Sequence, residues 1–272
     1  MDVSSRLPRL VDNDGAEFVL VLRVEDIRWL TGFTGGTAQL LVRRSNHEAW
    51  LLVDGRYFER ATDEIADSLA SVHIERVVSD VSTDEMIARI VGASTVAVDP
   101  THLTAHFMSV LQRHCTVINE RTQLDDLRRV KDDEEISLIA SAALIADDAL
   151  AMVVADGLVG KTEKQIRNRL DHLMREAGAD DVAFDTIVAT GPLGARPHHE
   201  PSDAIVEDGH GVVIDFGAMV QGYKSDMTRT IRVGDVSAEY QRMYELVIEA
   251  EAAGIASVKA GVVGAAVDAA AR

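Results

Sequence analysis

Short apolar runs and helical spacings alternate over about the first 120 residues of the chain. The runs predict strands at 18–22, 38–42, 49–53, 72–74, 96–98 and 117–118. Helical spacing predicts helices at 25–30, 56–66 and 101–113. The first run, 18–22, is apolar at every position, which is typical of a strand buried on both faces. This alternation predicts a small α/β domain with a mixed sheet.

A charged segment interrupts this pattern. It runs from Leu124 to Glu135 and holds nine charged side chains of both signs. Such a run is typical of a solvated helix start or a linker. We therefore predict two domains, at 1–123 and 124–272, which agrees with a typical domain size of about 150 residues.

The second region has a different pattern. Apolar residues three or four positions apart, from Ile136 to Val153, predict one long amphipathic helix. Thr162 and Gln165 form the pattern of a capping box and predict the start of a second helix. Further patterns predict strands at 187–189, 211–220 and 223–233 and a helix at 236–260. These elements predict an α+β domain.

Composition excludes some classes of function. The chain has 272 residues, with 45 acidic and 27 basic side chains and a net charge of −18. This charge argues against a nucleic-acid-binding protein, which needs clustered Lys and Arg. Cys115 is the only cysteine, so no intrachain disulfide can form, and a reducing cytoplasm is expected.

The sequence also indicates no contact with a membrane. The first residues lack the apolar segment of a signal peptide. The longest apolar run beside a predicted helix, 149–155, is shorter than the roughly 18 residues of a membrane span. We therefore expect a cytoplasmic protein.

Two aspartates stand within otherwise apolar strand patterns. Asp215 follows an apolar run, and Asp226 follows Gly222, where the chain can bend tightly. A hairpin at this bend would bring the two carboxylates together, and they then need a cation or a proton between them. Oxygen ligands of this kind suit manganese or magnesium. The alternative is an exposed Asp226 in a turn and a capped Asp215, and the residues alone leave both readings open.

A histidine is the third candidate site residue. His198 lies in a loop stiffened by Pro197 and Pro201. Beside a metal pair, a histidine can donate a hydrogen bond to a substrate carbonyl. A lone loop histidine is more often ordinary polar surface.

Several segments closely resemble the creatinase, prolidase and aminopeptidase P family. In the second region they are FDTIVATG at 184–191, PHHEP at 197–201, IDFGA at 214–218 and GYKSDMTRT at 222–230. Segments 127–131 and 134–136 resemble the entry to that family's catalytic domain, and 29–33 and 54–57 resemble its N-terminal domain. The resemblance implies an α/β N-terminal domain followed by a "pita-bread" α+β catalytic domain.

The resemblance also implies a metal-dependent hydrolase. The family holds two divalent ions (manganese, cobalt or zinc) with two Asp, one His and two Glu. Asp215 and Asp226 match the two Asp, and His198 matches the histidine that contacts the substrate. In the peptidases of this family, a water shared by the metals attacks the peptide bond before a proline. The implied substrate is a small peptide with proline at its second position.

One departure from the family bears on activity. Its ligand histidine and two glutamates follow later in the sequence than the segments matched here, and the last histidine, His210, precedes Asp215. We therefore expect only the first half of the pita-bread domain, with an uncovered apolar flank and little activity by itself. Three functions stay open: an Xaa-Pro peptidase, a creatinase-like amidine hydrolase, and a non-catalytic relative that binds a peptide or a partner. A homodimer also stays open.

Overall fold

The computed structural model describes residues 3, 5–10, 15–65, 70–78, 80–121 and 123–272. The chain forms two compact units, Met1–Glu134 and Glu135–Arg272. The division lies eleven residues beyond the boundary expected after residue 123 (134 − 123). The reason is Leu124, which is only 1% exposed and packs in the core of the first unit, with Leu127 against it. The start of the charged segment is therefore part of the first unit.

A six-stranded mixed sheet forms the centre of the first unit. Its strands are β1 (Phe18–Val21), β2 (Gln39–Arg43), β3 (Ala49–Asp54), β4 (Val72–Val77), β5 (Thr95–Val98) and β6 (Thr116–Asn119). The strand order is β4-β3-β2-β1-β5-β6. β1 pairs antiparallel with β2 and parallel with β5, and all four of its residues are buried. The predicted mixed sheet and fully buried first strand are thus present.

Helices of the first unit are α1 (Val24–Thr31), α2 (Phe58–Ile65), α3 (Thr83–Val91), α4 (Ala105–Leu111) and α5 (Leu124–Arg129). Short 3₁₀ helices lie at Leu7–Arg9 and Pro100–His102. The helix expected at 101–113 begins later because Thr104 caps α4, its Oγ1 accepting a hydrogen bond from the Phe107 amide at 3.1 Å. The expected last residue of α2, Ala66, lies outside the described residues.

The second unit contains four helices and six strands. The helices are α6 (Asp133–Ala155), α7 (Glu163–Glu176), α8 (Ala238–Ser257) and α9 (Gly264–Ala271). The strands are β7 (Asp181–Val182), β8 (Ile187–Thr190), β9 (Gly211–Phe216), β10 (Ala218–Val220), β11 (Tyr223–Lys224) and β12 (Met227–Arg232). They form two three-stranded sheets, ordered β12-β9-β8 and β11-β10-β7. The capping box at Thr162 and Gln165 is present at the start of α7.

Both long predicted strands, 211–220 and 223–233, are divided between these sheets. The first is broken at Gly217, where a Cβ atom would lie 2.0 Å from the carbonyl oxygen of Ser225. The backbones therefore approach too closely there for any residue with a side chain. Ser225 is buried, and its Oγ accepts a hydrogen bond from the Ala218 amide at 3.0 Å. The strands are present at the predicted positions, but each is interrupted where a single continuous strand was predicted.

The long helix α6 packs through small residues. Ala142, Ala146 and Ala149 are almost fully buried in the core of the second unit, against apolar residues of α7 and β9. Among the described residues, α6 is the one helix long and apolar enough to cross a membrane, with a mean hydropathy of 2.0. This criterion rests on length and composition only, and core helices of globular proteins meet it too. The whole of α6 meets this criterion, whereas the apolar run 149–155 by itself is too short to span a membrane.

Helix α8 exposes an apolar face. Its residues Met243, Leu246, Val247 and Ile255 are each more than 60% exposed. A cleft of about 960 Å³ lies between this helix and β12. An uncovered apolar flank is what the sequence leads us to expect in this unit.

Candidate metal and substrate site

One β-hairpin carries both candidate aspartates. The chain turns at Gln221 and Gly222, whose φ angles are 48° and 78°. Two positive φ values in succession are required by the tight hairpin turn that matches strand twist. Pairing runs from Val220 opposite Tyr223 through to Asp215 opposite Thr228. The predicted bend at Gly222 is therefore present.

Asp215 lies near the end of β9, the central strand of its sheet. Its neighbours across the sheet are Ile187 of β8 and Thr228 of β12. The residues before and after it, Ile214 and Phe216, are fully buried in the core, so the Asp215 side chain lies on the opposite face. There it is half-buried, and the Thr228 hydroxyl donates a hydrogen bond to its Oδ1 at 3.0 Å. This bond orients the carboxylate.

Asp226 is exposed and lies between β11 and β12. The hairpin register places Gly217 opposite it, and Thr228 follows two residues later. Alternate residues of a strand share a face, so the register on either side of the break at Gly217 predicts that Asp226 and Asp215 lie on the same face of the hairpin. The position that a Gly217 side chain would take is filled by the Ser225 carbonyl group, so the pairing beside Asp226 is irregular. This arrangement fits a cation between the carboxylates, and it also fits the alternative of an exposed Asp226 without metal.

His198 lies in the second unit but outside the hairpin that carries the two aspartates. It follows the 3₁₀ helix Gly191–Ala195, in an exposed turn on the connection from β8 to β9. The next residue, His199, is buried. The loop therefore presents the predicted substrate contact to solvent and turns its neighbour inward.

A carboxylate that sequence reasoning missed supports this loop. Glu163, the first residue of α7, is fully buried. Its oxygens accept hydrogen bonds from Thr190, His199 and Ser202. Burial raises the pKa of the Glu163 carboxyl. The hydrogen bonds from His199, Thr190 and Ser202 lower it by more, so the pKa lies below its usual value. An acidic residue in the first turn of a helix is common, so its position in the sequence gives no signal of this role.

The candidate ligands fit only part of a metal centre. Among residues in the described ranges, no group of three or more His, Cys, Asp or Glu side chains is arranged to hold a metal ion. Asp215 and Asp226 provide the hard oxygen ligands that manganese and similar ions take. The remaining positions of a metal's coordination shell would be filled by water or by ligands beyond this pair.

The cleft beside α8 begins next to Asp215. Thr228, which donates to Asp215, also lines the cleft, together with Thr230, Tyr244 and Val247. The cleft therefore joins the candidate carboxylate to the apolar face of α8.

Comparison with known proteins decides the family. Residues 137–272 match metallopeptidase family M24, and residues 4–130 match the creatinase/prolidase N-terminal domain. The chain belongs to metallopeptidase family M24. The resemblance noted in the sequence is confirmed, and so are the N-terminal creatinase-type domain and the pita-bread catalytic domain.

Individual relatives agree with this assignment. An Xaa-Pro dipeptidase of Pyrococcus horikoshii is 30% identical over 274 residues, covering 98% of this chain and 74% of the relative. The solved structure of an Xaa-Pro dipeptidase from Bacillus anthracis superposes with a TM-score of 0.89 at 30% identity, covering 100% of this chain and 76% of that one. An X-Pro aminopeptidase from Thermotoga maritima gives a TM-score of 0.85 at 30% identity, covering 98% and 76%. By family, the protein is a metallopeptidase of the Xaa-Pro dipeptidase and aminopeptidase group.

Proposed function

We propose that the chain provides part of a site that hydrolyses the peptide bond before proline in small peptides, with Asp215 and Asp226 as metal ligands, His198 as a substrate contact, and further metal ligands needed for full activity. The observation that carries this proposal is the hairpin register, in which Asp215 lies opposite Thr228, two residues after Asp226. The names of the relatives, Xaa-Pro dipeptidase and X-Pro aminopeptidase, support the choice of bond.

Each side chain has a distinct task in this proposal. Asp215, oriented by the hydroxyl of Thr228, and Asp226 offer carboxylate oxygens on the same face. Divalent ions held by these carboxylates would lower the pKa of a bound water and so would supply a nucleophile at neutral pH. His198 is exposed on its loop and can donate a hydrogen bond to the carbonyl oxygen of the substrate as negative charge develops there.

The metal pair is manganese, cobalt or zinc in this proposal. Carboxylate ligands favour manganese among these ions, whereas zinc more often takes nitrogen or sulfur ligands. The location is the cytoplasm, supported by the single cysteine of the sequence.

A non-catalytic relative that binds a peptide or a partner is the second candidate. The observation in its favour is that the described part of the chain assembles no third metal ligand beside the two aspartates. Within the described part of the chain, no feature favours the creatinase-like amidine hydrolase.

Manganese binding tests the assignment of the ligands. Calorimetric titration of the wild-type chain should show binding that weakens at least tenfold in Asp215→Asn and in Asp226→Asn. Asp235→Asn, an exposed aspartate in the turn after β12, is the matched control and should bind as the wild type does. Equal affinity in all four proteins would exclude the two aspartates as ligands.

A further inference from the structure

The Glu163 carboxylate binds three separate points of the chain. Its Oε1 accepts a hydrogen bond from the Thr190 amide at 2.7 Å. Its Oε2 accepts bonds from His199 Nε2 and from the amide and hydroxyl of Ser202, each at 2.8 Å. Thr190 lies before the loop that carries His198, His199 lies within the loop, and Ser202 lies at its end.

The loop itself has little other support. Among the described residues, no backbone–backbone hydrogen bond involves 197–201. Pro197 and Pro201 cannot donate one, because proline has no amide hydrogen. The backbone of the loop is therefore held mainly through Glu163 and the residues bonded to it.

The contact with His199 holds the residue directly after His198. The side chain of His199 is 7% exposed, whereas His198 beside it is exposed. His198 lies in a turn directly before His199, so the contact between His199 and Glu163 anchors the chain next to the exposed His198 side chain.

The chemistry of the cluster requires an ionised carboxylate. All four hydrogen bonds are accepted by Glu163, and an ionised carboxylate is an acceptor only. The pKa of Glu163 lies below its usual value in spite of burial, so the group is charged at neutral pH. A glutamine there would place an NH₂ group against at least one donor.

We propose that Glu163 is a positioning residue that acts through His199 and Ser202 to hold His198 in place for substrate. The inference rests on the proposed role of His198, but the contacts of Glu163 are independent of the metal. Its consequence is that His198 loses its fixed position when Glu163 cannot accept all four bonds.

Nuclear magnetic relaxation of the ¹⁵N-labelled chain tests this role without metal or turnover. We expect backbone order parameters at His198 and Glu200 near about 0.85 in the wild type and below about 0.6 in Glu163→Gln. His199→Leu, which removes the donor, should give the same loss. His199→Gln, which keeps an N–H donor, should retain much of the order. Glu176→Gln, at the exposed end of the same helix, is the control and should leave the loop rigid.

Several outcomes would overturn the proposal. A loop that stays rigid in Glu163→Gln would overturn it, and so would a loop that is already mobile in the wild type. A Glu163→Gln protein that loses overall stability but keeps a rigid loop would also overturn it. If Glu163→Gln does not fold, Ser202→Ala and His199→Leu give the same readout. Since no metal is involved, these outcomes are separate from those of the manganese titration.

Discussion

The hydroxyl of Thr228 donates a 3.0 Å hydrogen bond to Oδ1 of Asp215 across the β9–β12 pair. The two residues stand directly opposite each other in the register. A donor to a ligating carboxylate fixes which way the carboxylate points, and such partners tune metal affinity. Thr228 is therefore part of the proposed metal site, although its side chain need not touch the metal.

Replacing Thr228 by valine should weaken manganese binding. Thr228→Val keeps the shape of the side chain but removes the donor to Asp215, and loss of such a partner typically costs about 10–100-fold in affinity. Isothermal titration calorimetry would measure the change. Thr230→Val, two residues along the same strand, is the control and should bind as the wild type does. Equal affinities in both variants and the wild type would remove Thr228 from the site.

The 272-residue polypeptide should hydrolyse an Xaa-Pro dipeptide slowly or not at all when manganese is added. Two aspartates leave most of each metal's coordination shell to water, so a metal-bound nucleophile would be poorly held. A misplacement of about 1 Å can lower a rate roughly a hundredfold. The assay compares the purified chain with Asp226→Ala. Strong metal-dependent turnover that disappears in Asp226→Ala would contradict the expectation.

Stability should depend on pH through Glu163. Its pKa in the folded chain lies below the ordinary value of 4.5, because bonds from His199, Thr190 and Ser202 favour the ionised form. The stabilisation is therefore fully present above about pH 4.5 and is lost as pH falls through the folded pKa. Glu163→Gln should cost about 3 kcal/mol at pH 7, where charged hydrogen bonds are lost in a buried site.

Urea unfolding at several pH values would measure this effect. The difference in unfolding free energy between the wild type and Glu163→Gln should shrink steadily below pH 4.5. The exposed Glu176→Gln is the control and should show no such trend. A difference that stays constant down to pH 3 would show that the ionisation of Glu163 does not stabilise the fold.

Gly217→Ala should destabilise the protein. The added methyl would lie 2.0 Å from the carbonyl oxygen of Ser225, so one backbone must move, at a cost of about 1–3 kcal/mol. Thermal unfolding would measure it. Gly264→Ala is the control, because a Cβ atom there meets nothing within 4 Å and the residue is helical. Equal melting temperatures for the two variants would show that the chain relaxes around Gly217 without cost.

Local signals in the sequence were sufficient for the elements that carry the aspartates. The bend at Gly222 was predictable because glycine between two apolar runs favours a turn. The capping box at Thr162 was predictable because its two residues are only three positions apart. At Gly217 the glycine inside a strand pattern is a general signal of a close backbone approach, but the sequence does not identify Ser225 as the segment that approaches it.

The support for the His198 loop could not be predicted in the same way. Glu163 is 27 residues from Thr190 and 39 from Ser202, and no pattern of spacing links them. His199 is adjacent to His198, and the sequence does not show which of two neighbouring histidines turns inward. Both facts follow only from the fold, where residues 160–164 lie beside 202–206 through several backbone hydrogen bonds.

The Gly222 hairpin has a consequence for how the molecule folds. Asp215 and Asp226 are separated by only eleven positions (226 − 215), and the strand pairing around Gly222 closes one short loop. Closing a short loop costs little chain entropy, and hairpins form within about 1–10 microseconds. The two carboxylates can therefore come together before the long-range contacts of the second unit exist. A divalent cation that bound them at this stage would favour native strand pairing early in folding.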